Sequence, residues 1–487
     1  MSLVVETQSG PVRGAESSGA RYWLGVPYAS AERFGAPNPP EPWVEEKDAT
    51  QYGPECPQFF GALAPEKKIA GPTVDEDCLV LNIWTPSQKS DTPLPVMVWI
   101  HGGAFMTGSG NTYDGSKFAS EKNIIVVSIN YRLGVLGFAN FADALGLDVP
   151  SNLGVRDQIA ALEWVRDNIA AFGGDPQRVT IAGESAGSLA ISMLMINETQ
   201  WPLFHGAIMQ SGALSLFHAK ERSQRIAGHY KKVLGEAASS LEALRALDIS
   251  TLLRAQIKAT YFEEQTVPAA PWYDGDIFPT SLEEARAKTT HNVPLLVGYN
   301  QEEIRLFEAI KGKPILPMAR EDSEQLVREQ LSDEAANQLL SVYPNDKAGN
   351  RLLATHITFG MPTMSFAEEH AKNNDTWCYR FDFKHPVLGA AHAVELGFVW
   401  PFKGMFGFAV RGGLLWGKRK ALAERMQAHW AHFVHHGKPL DSWPQYRHEE
   451  RKIYRFSSKD EIVEDPDKIY REAWDGAYII TAKQSSL

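Results

Sequence analysis

Cysteine is scarce in this chain of 487 residues, occurring only at Cys56, Cys78 and Cys378. Three cysteines cannot form a disulfide framework, and their spacing lacks the close pairs of a zinc ribbon. At most one bridge, Cys56 to Cys78, stays open. Long apolar runs are missing as well. No stretch reaches the roughly 18 residues needed to span a bilayer, and residues 1–7 lack a basic segment leading into an apolar one. Together these absences predict a cytoplasmic chain without a membrane anchor. Positive charge is in deficit, with 48 lysines and arginines against 59 aspartates and glutamates, a formal net charge of −11. Nucleic acid and anionic membrane both recruit basic faces, so neither is an expected partner, and small neutral substrates are. Repeats, blocks of like charge and low-complexity linkers are absent too.

What the chain has is core-forming material: 44% of its residues are hydrophobic and 22% charged, the balance of a globular protein able to bury a large interior. Glycine turns separate mixed apolar and polar segments near residues 5–14 and 22–26, a pattern of antiparallel strands. A proline-rich loop follows at 37–43. Then come short, nearly continuous apolar runs at 79–84, 95–100 and 124–129, the pattern of strands buried on both faces. Residues 154–169 place Val155, Ile159, Leu162, Val165 and Ile169 at helical spacing. Further buried runs lie at 293–298 and 377–383. Alternating strands and helices predict an α/β fold built on one large, mostly parallel sheet flanked by helices. The expected organisation is a single domain over 1–487, with helical excursions near 215–290 and 305–370 covering the site.

Chemistry enters at Gly183-Glu184-Ser185-Ala186-Gly187. A β-branched run precedes this Gly-x-Ser-x-Gly segment and a small-residue helix start follows it, the context of a nucleophile elbow. The bare motif also occurs in structural turns. Here the glycines relieve crowding at a tight turn while the Ser185 hydroxyl is exposed over the sheet. A second segment strengthens the catalytic reading: residues 101–105, His101 to Phe105, directly follow a buried strand, and Gly102 and Gly103 let the backbone turn its N–H groups inward. The N–H groups of Gly103, Ala104 and Ala186 are the expected oxyanion hole. His101 precedes the nucleophile and shapes this loop instead of acting as base.

A serine at neutral pH needs a base, and the base needs an acid to orient it. In this fold the chain order is serine, acid, histidine. Of fourteen histidines, those just beyond the late strand are His385 and His392. The acid candidates after a strand end are Glu302 and Glu303, with Asp274 and Asp276 competing.

Over nearly its whole length the chain resembles the type-B carboxylesterase family, which includes bacterial p-nitrobenzyl esterases, animal carboxylesterases and cholinesterases. Residues 172–187, 76–86, 130–134 and 210–212 carry the likeness. The resemblance implies an α/β-hydrolase fold and selects His392 through the segment 392–400 and Glu303 through 298–303. It also implies supporting roles for Ser211 and Glu395, whose bland alternative is a satisfied polar core. Family members often pair the cysteines matching Cys56 and Cys78, which a reducing cytosol opposes. Val80 and Gly397 depart from the family pattern and bear on the substrate rim.

Several features invite other readings. Gly412 to Lys418 has P-loop glycine spacing, but Arg419 stands where the magnesium-binding Ser or Thr belongs. His429, His432 and His436 share a helical face, yet no carboxylate joins them and Gly437 reads as a C-cap. Phe105, Met106, Trp272, Phe307 and Phe398 are candidate pocket residues, each also explicable as core. The expected activity is hydrolysis of small, mostly apolar carboxylic esters with water, requiring neither cofactor nor metal, by a monomer or weak homo-oligomer. Amide, thioester and carbamate hydrolysis share the same intermediate and remain alternatives, as does a non-catalytic binding module.

Overall fold

Short β-branched runs have too few residues for a stable helix, and burial on both faces suits them to the middle of a sheet. In the computed structural model, which describes residues 3–58, 74–260, 267, 269–308, 316–402, 416–475 and 477, the strands Val80–Pro86, Leu94–Ile100 and Ile125–Ile129 are buried almost throughout. The chain forms two units. One comprises Met1–Gly206, His218–Glu263 and Pro268–His291, and the other Ala207–Phe217, Glu264–Val267 and Asn292–Leu487.

In the first unit, Ala15–Ser17, Ala20–Pro27, Val80–Pro86 and Ile125–Ile129 pair successively in antiparallel fashion. Leu94–Ile100 then runs parallel to both Ile125–Ile129 and Gly174–Glu184. The register sets Ile100 opposite Gly183. Two strand ends therefore finish side by side, and the loops leaving them are neighbours. The helix Leu153–Asn168 matches the expected periodicity and buries Val155, Ile159, Leu162 and Val165. The segment from 215 to 290 contains the helices Lys220–Leu234 and Ile249–Thr260 and shorter pieces.

In the second unit, Leu295–Asn300 lies parallel to residues 207–210 on one side and to Thr376–Phe381 on the other. Lys452–Phe456 extends this parallel set, and Glu461–Glu464 returns antiparallel to it. That final hairpin escapes the apolar-run criterion because Lys452, Arg455 and the glutamates at both ends of Glu461–Glu464 break its hydrophobic pattern. The second excursion contains Arg320–Gln330, Asp333–Ser341, Lys347–Thr355 and Met361–Ala371. Side-chain caps start two of them: Ser332 accepts from the Ala335 N–H and Asp346 from the Gly349 N–H.

Cys56 and Cys78 are both buried free thiols, so the bridge between them is not formed. The Cys56 Sγ accepts from the Leu133 N–H at 3.1 Å. Among the described residues no helix is long and apolar enough to cross a membrane. Gly412 and Gly413 of the P-loop-like segment lie outside the described residues.

One buried ion pair pins the segment after Ile125–Ile129. Asp157, with no solvent exposure, accepts from the Arg132 backbone N–H, Nε and Nη2 at 2.7–3.0 Å. The adjoining Leu133, Gly134 and Val135 N–H groups donate to Cys56 Sγ, the Phe105 carbonyl and Gln256 Oε1. Removing one partner of such a pair strands a buried charge at a cost of about 3–5 kcal/mol. Asp157→Asn is thus expected to lower the unfolding free energy by that amount in urea titration; a loss below ~1 kcal/mol would contradict this role.

Candidate active site

The turn at Ser185 is a strained strand-to-helix junction. Gly174–Glu184 ends one residue before it and the fully buried helix Ala186–Met195 begins one residue after. Ser185 itself has φ 54° and ψ −121°, a conformation that costs roughly 1–3 kcal/mol and persists only where surroundings enforce it. The enforcement is steric. A Cβ on Gly187 would lie 2.0 Å from the Ile100 carbonyl oxygen, and one on Gly183 would lie 2.7 Å from the same atom. Bare backbone at both flanks lets strand and helix close on Ile100, while the partly exposed Ser185 projects from the bend at the positive end of the helix dipole.

Beside this elbow runs the loop that leaves Ile100. Gly103, Ala104 and Phe105 take φ values of 117°, 56° and 57°, three successive positive angles of which only the first suits its residue type. The Gly103 carbonyl accepts from the N–H groups of Met106 and Thr107, both at 3.0 Å. Among the described residues no group accepts from the N–H of Gly103, Ala104 or Ala186. Gln58 holds the loop's far end, exchanging two hydrogen bonds with the backbone of Gly108. The Gly134 N–H donates to the Phe105 carbonyl at 2.7 Å.

His101 supports this loop from within. Its Nδ1 contacts the Gly102 carbonyl at 2.8 Å, its ring stacks on Tyr131 at 4.4 Å, and the Tyr131 hydroxyl donates to the His101 carbonyl. Burial pushes its pKa from 6.5 down to about 4. The ring is neutral and enclosed, in keeping with a shaping role.

In the second unit Glu303 and His392 meet directly. Glu303 has no solvent exposure, and its Oε2 lies 2.7 Å from His392 Nδ1. Its Oε1 accepts from the Asn300 N–H at 2.6 Å, and its carbonyl accepts from the His392 N–H at 3.2 Å. Asn300 also donates through Nδ2 to the Ala391 carbonyl and to Glu395. Glu395 accepts in addition from Gln210, whose Oε1 takes the Trp430 indole N–H. Burial, and secondly the charge of Glu303, push the Glu395 carboxyl up to about 7. Ser211 is fully buried in the left-handed region at φ 56°, its N–H bonded to the Gly298 carbonyl.

The competing groups are engaged elsewhere. Glu302 accepts from the Ala390 N–H and pairs with Lys384 and Arg305. His385 Nδ1 accepts from the N–H groups of Val387 and Leu388. Asp274 accepts from Ser151, Asn152 and two backbone N–H groups, and Asp276 pairs with Arg156. His429 turns inward against Trp443 and Tyr454, away from the neighbouring rings of His432 and His436. Gly437 caps that helix at φ 67°. Among the described residues no three His, Cys, Asp or Glu side chains could hold a metal ion.

Of the pocket candidates, Phe105, Trp272 and Phe398 are buried against Phe138, Asn152 and the rings of Phe381 and Phe383 respectively. Met106 and Phe307 stay partly exposed, and Phe307 lies 5.2 Å from the His392 ring. Asn300, Gln210, Gln58 and Tyr131 were not foreseen. Three of them lie in segments that carry the family likeness, but isolated polar residues have no periodic signal, and their hydrogen bonds are what reveal their roles.

The model of the carboxylesterase family matches residues 1–473. The para-nitrobenzyl esterase of Bacillus subtilis (strain 168) is 35% identical over 486 residues, covering 96% of this chain and 98% of that protein. An acylcarnitine hydrolase of Mus musculus is 32% identical, covering 92% and 86%. A solved structure titled a thermophilic PNB esterase superposes with a TM-score of 0.88 at 35% identity, covering 97% of this chain and all of that one. A Geobacillus stearothermophilus carboxylesterase, EST55, gives 0.83 at 32% identity. The expected α/β-hydrolase fold follows from these likenesses.

The lowered pKa of His101 has a thermodynamic consequence. A histidine depressed from 6.5 to about 4 stabilises the fold above pH 6.5 and loses that contribution as pH falls toward 4, because the unfolded chain takes the proton first. The shift corresponds to roughly 3 kcal/mol. Unfolding free energy measured from pH 7 to pH 4 should fall more steeply in wild type than in His101→Gln; equal slopes would contradict a buried neutral His101.

Proposed function

The chain belongs to the carboxylesterase family and hydrolyses carboxylic esters, and we propose that it does so through an acyl-enzyme on Ser185, with His392 as base and Glu303 as the acid that orients it. What chiefly supports Ser185 as nucleophile is its backbone: a non-glycine residue at φ 54° and ψ −121°, held by glycines against Ile100. Such strain is maintained where exposing a side chain has a use.

The chemistry proceeds in two halves. Nδ1 of His392 donates to Glu303, which leaves Nε2 unprotonated to take the Ser185 proton as Oγ attacks the ester carbonyl. Negative charge develops on the carbonyl oxygen, and the N–H groups of Gly103, Ala104 and Ala186 receive it; one such donor contributes roughly 3 kcal/mol to the transition state. Nε2 then returns the proton to the departing alcohol. Water, deprotonated by the same nitrogen, clears the acyl group. Glu303, desolvated and fixed by Asn300, opposes the positive charge that His392 acquires at each step.

Met106 and Phe307, both partly exposed, are apolar, which favours small, mostly apolar esters. The p-nitrobenzyl esters named for a bacterial relative are of this kind.

Turnover of p-nitrophenyl esters of increasing acyl length tests this assignment. Ser185→Ala is expected to lower kcat at least about 10⁴-fold on every ester, and Glu303→Gln by a comparable factor, while Glu302→Gln stays within a few-fold of wild type. Equal activity of wild type and Ser185→Ala, or a larger loss in Glu302→Gln than in Glu303→Gln, would overturn it.

A further inference from the structure

One distortion in the second unit has no part in the triad itself. Between the helices Lys347–Thr355 and Met361–Ala371, residues His356–Gly360 form a single π-turn, buried at every position. Its cause is readable: Pro362 follows at the start of the next helix, and a proline cannot donate to the carbonyl four residues earlier, so the ladder opens there. π-turns of this kind are frequent at functional positions, because the extra residue rotates the side chains beyond it.

Both ends of the turn are occupied. At one end the His356 Nδ1 accepts from the Tyr343 hydroxyl at 2.8 Å, and that hydroxyl accepts from the Trp474 indole N–H at 2.7 Å. The His356 ring packs on Tyr470. Burial keeps His356 neutral, pushing it down to about 4, so the acceptor persists across the neutral range. At the other end the Phe359 ring, 1% exposed, lies 4.5 Å from the His392 ring at an interplanar angle of 30°. Phe307 completes a three-ring group, 5.2 Å from His392 and 6.0 Å from Phe359.

We propose that the π-turn positions the catalytic base: anchored through His356, Tyr343 and Trp474, it holds the face of Phe359 on the His392 imidazole, where that face favours the imidazolium of the transition state. Phe359 is thus a positioning residue for ester hydrolysis, an assignment that rests on His392 being the base. A cation within about 6 Å of an aromatic centroid is attracted by the ring quadrupole, whereas neutral imidazole gains little. The ring therefore acts selectively on the state in which His392 carries the proton, which is the condition for raising kcat rather than tightening binding. Among the described residues, ionisable groups that interact with His392 include Glu303 and Glu395. Arg305 and Glu308, on the helix carrying Phe307, are paired with Glu302 and Arg351.

The test compares Phe359→Leu and Phe359→Met, which keep apolar volume but lose the π face, with Phe359→Tyr, which keeps it. For p-nitrophenyl acetate, the two aliphatic variants should lose roughly 5- to 20-fold in kcat, with KM changed less than about twofold. The acid limb of their kcat/KM profile should move to lower pH, because an imidazolium without the ring loses its proton more readily. Phe359→Tyr should recover at least about half of the wild-type kcat and the wild-type limb. Aliphatic variants with wild-type kcat and acid limb, a loss confined to KM, or equal impairment of Phe359→Tyr and Phe359→Leu would overturn the proposal. Ser185→Ala, assayed alongside, separates the two levels. If it is inactive while Phe359→Leu matches wild type, only the role of Phe359 fails; if it is active, the triad assignment fails with it.

Discussion

The geometry around Ser185 depends on one close approach: bare backbone at Gly183 and Gly187 pressed against the carbonyl of Ile100. No residue with a Cβ fits at either position without moving the strand or the helix. Because Ile100 is also the last residue of its strand, the same contact fixes where the next loop starts, and so brings residues 101–105 beside the elbow. Ser185 and the N–H groups proposed as the oxyanion hole are therefore placed by a single steric condition. The strain stored at Ser185, Ala104 and Phe105 is offset by ordinary interactions a short distance away. These are the Tyr131 stack and hydroxyl on His101, the Gln58 clasp on Gly108, and the Gly134 N–H on the Phe105 carbonyl. The Arg132–Asp157 pair secures that last donor's segment.

The proposed acid and base, Glu303 and His392, are organised differently, by polar saturation. Asn300 ends its strand and uses its backbone N–H for Glu303 and its side-chain amide for Ala391 and Glu395. One residue thereby ties Glu303, the turn before His392 and a second buried carboxyl together. Two carboxyls in one desolvated site cannot both ionise cheaply. Glu395 is the one pushed up, by burial first and by the charge of Glu303 second, while Glu303 keeps its contact with His392 Nδ1.

Legibility in the sequence followed the physics of each feature. Strands such as Ile125–Ile129 announced themselves because burial on both faces demands unbroken apolar residues, and the helix Leu153–Asn168 because one buried face demands periodicity. The elbow was readable because its glycines are obligatory. Glu303 and Glu302 were different. Residue type and strand end made them equal, family likeness preferred Glu303, and only the fold gives Glu302 to Lys384 and Arg305. Asn300 and Gln210 lie in segments that carry the family likeness and Gln58 in none, yet the role of each was illegible, since an isolated polar residue looks the same in a loop as in a network. Nor was the π-turn legible, its only mark in the sequence being Pro362. The hairpin formed by Lys452–Phe456 and Glu461–Glu464 was hidden by its charges.

The central claim is that Ser185 alone among the serines is made nucleophilic, and covalent labelling measures that directly. Treated with an organophosphate, digested and mapped by mass spectrometry, the protein should carry one adduct, on the peptide containing Ser185, with activity lost in proportion to labelling. An adduct elsewhere that tracks the loss of activity, or full activity after Ser185 is labelled, would contradict the account.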